Sequence, residues 1–285
     1  MLFAVIDIGS NSVRLMLNDG KQTLYKKIQV TKLARGMNNG QLSKDSVERT
    51  IRAVSFFVNI AKQEKADKIY IYATAAVRNA VNQKEFLCLC EKACGVKVDV
   101  ISGERESFLG ALGAVNGGNG GIIDVGGASS EIAVMQDSCL KYGHSLSIGA
   151  VKLTDLADQD YKKAQEIVAP LVKEYGEVPI STFYAIGGTA TTIVAILQEL
   201  EVYDAKKVHG YKVELKILEN LVERLYQMTV EQRKGLKGLQ PERADVIASG
   251  ALILLNVMKY LNIQSFYVSE SDNLEGYLIS KMENL

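Results

Sequence analysis

The chain has 285 residues, 47% hydrophobic and 23% charged, the balance of a globular protein with room for two domains of ordinary size. Its 33 basic and 33 acidic side chains cancel to a net charge of +0, which speaks against a general nucleic-acid binder; a polyanionic ligand would need positive charge gathered locally. The opening MLFAVIDIGSNS has no basic segment before its apolar run and does not read as a signal peptide. The longest apolar stretch, 246–255, is too short for a bilayer, so the expectation is a cytoplasmic chain with reduced thiols and no membrane partner.

Taken in chain order, residues 4–15 predict a buried strand, a tight Gly/Ser turn and a second strand. The stretch 43–65 predicts an amphipathic helix, with Ser43 as its cap and Val47, Ile51, Val54, Phe57 and Val58 along the apolar face. A strand at 68–73, a helix at 86–94 closed by Gly95 and a strand at 96–101 follow, and Ser102-Gly103 opens a helix reaching about 115. The glycine-rich run 116–120 is the expected hinge. Residues 121–134 then repeat the grammar of the first hairpin. Beyond them come a strand at 140–148, a strand running into a glycine turn and a helix at 183–189, helices at 213–228 and 244–261, a strand at 265–268 and a last helix from Leu274. The expected class is α/β, with mixed sheets in two domains, 1–119 and 120–285, and the last helix free to pack back on the first.

The repeat carries the chemistry. An Asp-x-Gly turn between strands gathers backbone N–H groups into a nest suited to phosphate oxygens, and small residues allow close approach. Two such turns, at Asp7 and Asp124, lie 117 positions apart, and a Gly-Gly-Thr turn at Gly187, Gly188 and Thr189 adds a third. Each Asp ends a buried apolar strand, where a charge is expensive unless paired or bound to a cation; capping of its own turn is the alternative. Cys88, Cys90 and Cys94 lack the spacing of a zinc site and read as small buried residues on a helix. Tyr70 and Tyr72 read as core rather than as a platform for bases, and His209 reads as either a loop-packing or a cleft residue.

The segments IDIGSNSVRL, TAAVRNA, VISGERES, IIDVGGASSEIAV, SLSIGAVKLTD, YAIGGTATTIVA, VHGY and PERADVIASGALIL resemble, in order, the exopolyphosphatase / guanosine pentaphosphate phosphatase family. The resemblance implies two ribonuclease H-like domains of the actin-like ATPase superfamily, an active site in the cleft between them and Mg²⁺-dependent phosphoanhydride hydrolysis. It makes Ser10, Asn11 and Ser12 the first phosphate loop, Gly126, Gly127, Ala128 and Ser129 the second, and Gly187, Gly188 and Thr189 the third. It makes Arg78 the arginine facing the phosphates, Asp7, Asp124 and Glu131 the metal-side carboxylates, and Glu106 the group that activates water.

On residue chemistry alone Glu104 is equally eligible for that last role, and either acid could simply favour a helix N-terminus. Arg105 stands where the family has glutamate and is expected to attract substrate or to pair with Glu106. Ala128 departs from the second loop's usual Gly-Ser-Thr and is harmless if its φ is negative. Lys32, Arg35, Lys152 and Arg243 are further candidates to guide a polyanion. The implied substrates are inorganic polyphosphate and guanosine penta- or tetraphosphate. A small-molecule kinase of the same superfamily and a non-catalytic alarmone-binding regulator are the alternatives. The resemblance leaves a homodimer open. Long family members carry an extra helical domain beyond the point where this sequence stops, from which low processivity on long chains is expected.

Overall fold

The computed structural model describes residues 1–37, 39–115, 118–179 and 181–284. The chain divides into two compact units, Met1–Glu106 with Tyr277–Leu285, and Ser107–Gly276. Asn116 and Gly117 of the expected hinge lie outside the described residues.

The first unit begins with a three-stranded meander: β1 (Phe3–Ile8), β2 (Ser12–Asn18) and β3 (Thr23–Val30). Helix α1 (Lys44–Gln63) returns the chain to β4 (Lys68–Ala73), which pairs parallel with β1. After α2 (Ala75–Arg78) and α3 (Gln83–Cys94), β5 (Val98–Val100) joins β4 in parallel, and α4 (Gly103–Val115) follows. The sheet order is β3-β2-β1-β4-β5, the ribonuclease H-like arrangement expected. All six residues of β1 are buried, Asp7 among five apolar neighbours. Ser43 caps α1 by accepting from the Ser46 N–H, and Gly95 ends α3 in the left-handed conformation at φ 74°.

The second unit repeats the scheme. Strands β6 (Gly120–Val125), β7 (Ser130–Gln136) and β8 (Cys139–Leu146) form the meander. Helices α5 (Ala150–Ala157) and α6 (Tyr161–Leu171) lead to β9 (Phe183–Ile186), parallel to β6, and α7 (Gly187–Leu197) starts at once. Short α8 (Ala205–Val208) and β10 (Lys212–Glu214) precede α9 (Leu215–Gln227), α10 (Val230–Lys234) and α11 (Ile247–Tyr260). Strand β11 (Ser265–Val268) and α12 (Asn273–Glu283) end the chain. The sheet order is β10-β11-β9-β6-β7-β8. Read from β8, this is the order of the first sheet with one extra strand at the far edge. Residues 247–258 of α11 are all buried, so this helix, apolar on every side, is the centre of the unit's core.

Four details differ from the sequence reading. Residues 212–214 form an edge strand rather than the start of a helix: they alternate exposed, buried, exposed and pair antiparallel with 265–267. The expected strand at 96–101 keeps only three residues, and the one at 140–148 ends at Leu146, so the chain can turn into α5. Cys90 and Cys94 are buried as expected, and burial pushes the Cys90 thiol up to about 12, whereas Cys88 faces solvent. Among the described residues no helix is long and apolar enough to cross a membrane.

Candidate active-site residues

In the first unit the hairpin turn positions the leading carboxylate. The Gly9 N–H bonds the Ser12 carbonyl at 3.0 Å, and a Cβ on Gly9 would sit 2.9 Å from that oxygen, so the turn needs glycine. The closed turn sets Asp7 directly across from Arg14. Arg14 donates from Nε and Nη2 to Asp7 Oδ2 at 2.9 and 2.6 Å, which stabilises a carboxylate that is only 4% exposed.

Glu106 lies on the first turn of α4 and is buried, whereas Glu104 on the same turn is exposed. Burial separates these two acids, which the sequence left equivalent. Arg78, at the end of α2, donates from Nη1 to Glu106 Oε2 at 2.8 Å and to the Ile101 carbonyl at 2.9 Å. Two opposed effects act on Glu106. Burial raises its pKa and the Arg78 charge and hydrogen bond lower it; burial wins, and the carboxyl is pushed up to about 7. Arg78 thus stands beside Glu106, a place for which Arg105 was also a candidate.

The second unit carries the same turn, with the Gly126 N–H on the Ser129 carbonyl at 3.0 Å. Two further loop carbonyls are engaged: Gly126 accepts from Ala150, and Gly127 from Val151 and Lys152. In the first loop Ser10 accepts from Ala34, and Asn11 from Thr31 and Lys32. Among the described residues no protein acceptor meets the amides of Ser10, Asn11, Gly127 or Ala128. Loops with several carbonyls engaged and these amides unspent are suited to anions. Ala128 is not among the residues with positive φ, so the departure is unstrained.

Asp124 and Glu131 are direct cross-strand partners, and Ser145 on β8 stands next in the same row. The Ser145 hydroxyl donates to Glu131 Oε1 at 2.7 Å, and Asn273 Nδ2 donates to Asp124 Oδ2 at 3.1 Å. Below this row Tyr175 donates its buried hydroxyl to the Ser130 carbonyl at 2.9 Å. The third turn begins at Gly187, whose φ of +77° suits glycine; a Cβ there would lie 2.6 Å from Asp124 Oδ1. Thr189 donates its hydroxyl to the Val125 carbonyl at 2.7 Å, tying α7 to β6, and the Arg243 guanidinium lies against Gly188. His209 packs a loop: its Nδ1 accepts from the Glu270 N–H. Lys152 is engaged with the Ser147 carbonyl and hydroxyl.

A model of the Ppx/GppA phosphatase family matches residues 10–285 of this chain. The chain belongs to that family. It is 30% identical to Exopolyphosphatase 2 of Mycobacterium tuberculosis, with 97% of each chain covered. It is 29% identical to a bifunctional 3-dehydroquinate synthase/phosphatase of Fusobacterium nucleatum, covering 99% of its own length but 47% of that protein's. A crystal structure of an exopolyphosphatase-like protein superposes with a TM-score of 0.93 at 25% identity, covering 100% of this chain and 99% of the other.

Sequence reasoning passed over Arg14, Ser145, Tyr175 and Asn273. Arg14 had a signal: it follows Asp7 by the same seven positions that separate Glu131 from Asp124, so the repeat itself places it opposite the carboxylate. Asn273 had none, because 149 residues separate it from Asp124.

Proposed function

We propose that the chain hydrolyses the terminal phosphoanhydride of inorganic polyphosphate or of guanosine pentaphosphate, with Glu106 as the general base. The observation that carries this reading is the 2.8 Å ion pair between buried Glu106 and half-buried Arg78, in which burial pushes the carboxyl up to about 7. A base so tuned is deprotonated often enough to accept a proton and basic enough to hold it. Glu106 takes a proton from water, and the water oxygen bonds the terminal phosphorus as its bridging P–O bond breaks. The shortened phosphate chain leaves with the bridging oxygen. The Arg78 guanidinium keeps donors beyond those spent on Glu106 and Ile101, and these face the phosphoryl oxygens. The amides of Ser10, Asn11, Ser12, Gly126, Gly127, Ala128 and Ser129 and of the turn at Gly187, Gly188 and Thr189 hold the phosphate oxygens.

The donor set fits one hard divalent cation, which we assign as Mg²⁺. Asp124 and Glu131 are like charges set directly across adjacent strands, an arrangement that is destabilising without a positive charge beside it. Among the described residues no three potential metal ligands converge, so phosphate oxygens and water would complete the shell. When bound, the cation would neutralise charge on the phosphate chain. Asp7 is a poorer ligand than the other two, because both Arg14 donors already occupy its Oδ2. It contributes instead through its charge, which raises the Glu106 pKa further.

The test is phosphate release from short polyphosphate, long polyphosphate and guanosine pentaphosphate, with Mg²⁺ and no acceptor, in wild type and Glu106→Gln. Release that disappears in Glu106→Gln supports the reading, and the preferred substrate then names the specificity. Release from none of the three overturns it, and release unchanged by Glu106→Gln overturns the base.

A further inference from the structure

We infer that Asn273 is a positioning residue that fixes the orientation of the Asp124 carboxylate. The inference rests on the reading above, in which Asp124 serves the cation.

The geometry has two parts. The first is the contact. Asn273 opens α12, is 4% exposed and donates from Nδ2 to Asp124 Oδ2 at 3.1 Å. The other carboxylate oxygen, Oδ1, packs against Gly187, where even a methyl group would intrude. One oxygen is held by a donor and the other by a wall, so rotation of the carboxylate is restricted from both sides.

The second part is the mounting of Asn273 itself. The start of α12 lies against α4 with backbone touching backbone. A Cβ at Gly113 would strike the Asp272 carbonyl, and one at Gly276 would strike the Leu109 carbonyl. Gly110, between them in this crossing, leaves room for the Asn273 side chain: a Cβ there would lie 2.7 Å from its Oδ1. Three glycines thus bring the helices close enough to anchor the amide. A donor held this rigidly can aim a carboxylate that ligates a cation.

The amide is also a poor choice for packing alone. Its Oδ1 is buried and has no hydrogen-bond partner among the described residues. An unmatched buried acceptor destabilises a fold, and a leucine would fill the space without that cost. What the amide supplies and leucine lacks is the N–H aimed at Asp124.

The experiment compares wild type with Asn273→Leu, which keeps the bulk and loses the donor, and with Asn273→Ser, whose hydroxyl is too short to reach Asp124. Mn²⁺ binding is titrated by electron paramagnetic resonance, the Mg²⁺ concentration for half-maximal phosphate release is measured, and thermal melts report folding. Asp124→Asn is the control for the reading itself. Both Asn273 variants are expected to bind Mn²⁺ roughly 10- to 100-fold more weakly and to need Mg²⁺ raised by the same factor. At saturating Mg²⁺ kcat should recover to near the wild-type value. A purely structural role would lower the melting temperature and leave cation affinity unchanged. Wild-type cation affinity in a folded Asn273 variant, with affinity lost in Asp124→Asn, overturns this inference alone. Wild-type affinity in Asp124→Asn overturns the role of Asp124 and this inference with it. Should Asn273→Leu not fold, Asn273→Ser decides by the same criteria, and Gly110→Ala, which displaces the amide while keeping it in the chain, is expected to weaken cation binding likewise.

Discussion

Replacing Arg78 with methionine isolates the electrostatic contest at Glu106. In the native protein burial raises the carboxyl to about 7 while Arg78, at 2.8 Å, holds it below the value that burial alone would give. Two unit charges about 4 Å apart at an effective dielectric near 20 interact by about 4 kcal/mol. That corresponds to about three pKa units, and the part-exposed guanidinium brings the expectation to roughly one to three. Glu106 must be deprotonated to act as the base, so activity rises with pH through its pKa. In Arg78→Met the acidic limb of kcat/KM should therefore move about one to three pH units toward alkaline. The assay is phosphate release at low substrate from pH 5 to 10. On the proposed reading Arg78→Met will also lower the plateau, since the guanidinium would lose its place beside the phosphate, but the position of the limb does not depend on its height. A limb that stays near 7, or moves toward acid, would refute the electrostatic account of this pair.

Substitutions at four residues give the other expected outcomes. Glu106→Gln should lower release by about 10²- to 10⁴-fold. Because the folded pKa of Glu106 lies above its ordinary 4.5, its contribution to stability is full below pH 4.5 and is lost as pH rises through about 7. Urea midpoints of wild type should therefore fall relative to Glu106→Gln across that window. Gly187→Ala should cost about 1–2 kcal/mol for its left-handed backbone and should also reduce release, since its methyl displaces Asp124; melts and initial rates check both. Gly238→Ala, also left-handed and facing the Ala195 carbonyl, should lower the melting temperature yet leave the kcat of the folded fraction unchanged. Tyr175→Phe removes the hydroxyl that bonds the Ser130 carbonyl and should cost about 1 kcal/mol, read as a shifted urea midpoint.

Much of the fold was legible because its signals are local. The mainly apolar runs of β1 and β6, the Ser43 cap and Gly95 each act within a few residues, and each appears where the pattern puts it. The edge strand 212–214 was not legible, because three residues are too few to show a period and its pairing comes from β11, some fifty positions later. The site divides the same way. The loops and Asp7, Asp124 and Glu131 announce themselves through a repeated motif. The choice of Glu106 over Glu104 depends on burial and on Arg78, 28 residues upstream, and Asn273 reaches Asp124 only through the crossing of two distant helices.

The two hairpin loops bear on how this protein tolerates change. The contribution proposed for them is made by peptide N–H groups, with the carbonyls of Ser10, Asn11, Gly126 and Gly127 already engaged by the rest of the protein. A peptide group is supplied by every amino acid, so what must be preserved at Ala128 is a torsion angle, not a side chain. Substitution there is limited by shape and crowding, as at Gly9 and Gly187, rather than by chemistry. On the proposed reading the grip on phosphate is therefore written largely in backbone geometry, and loops that differ letter by letter can present the same array of donors.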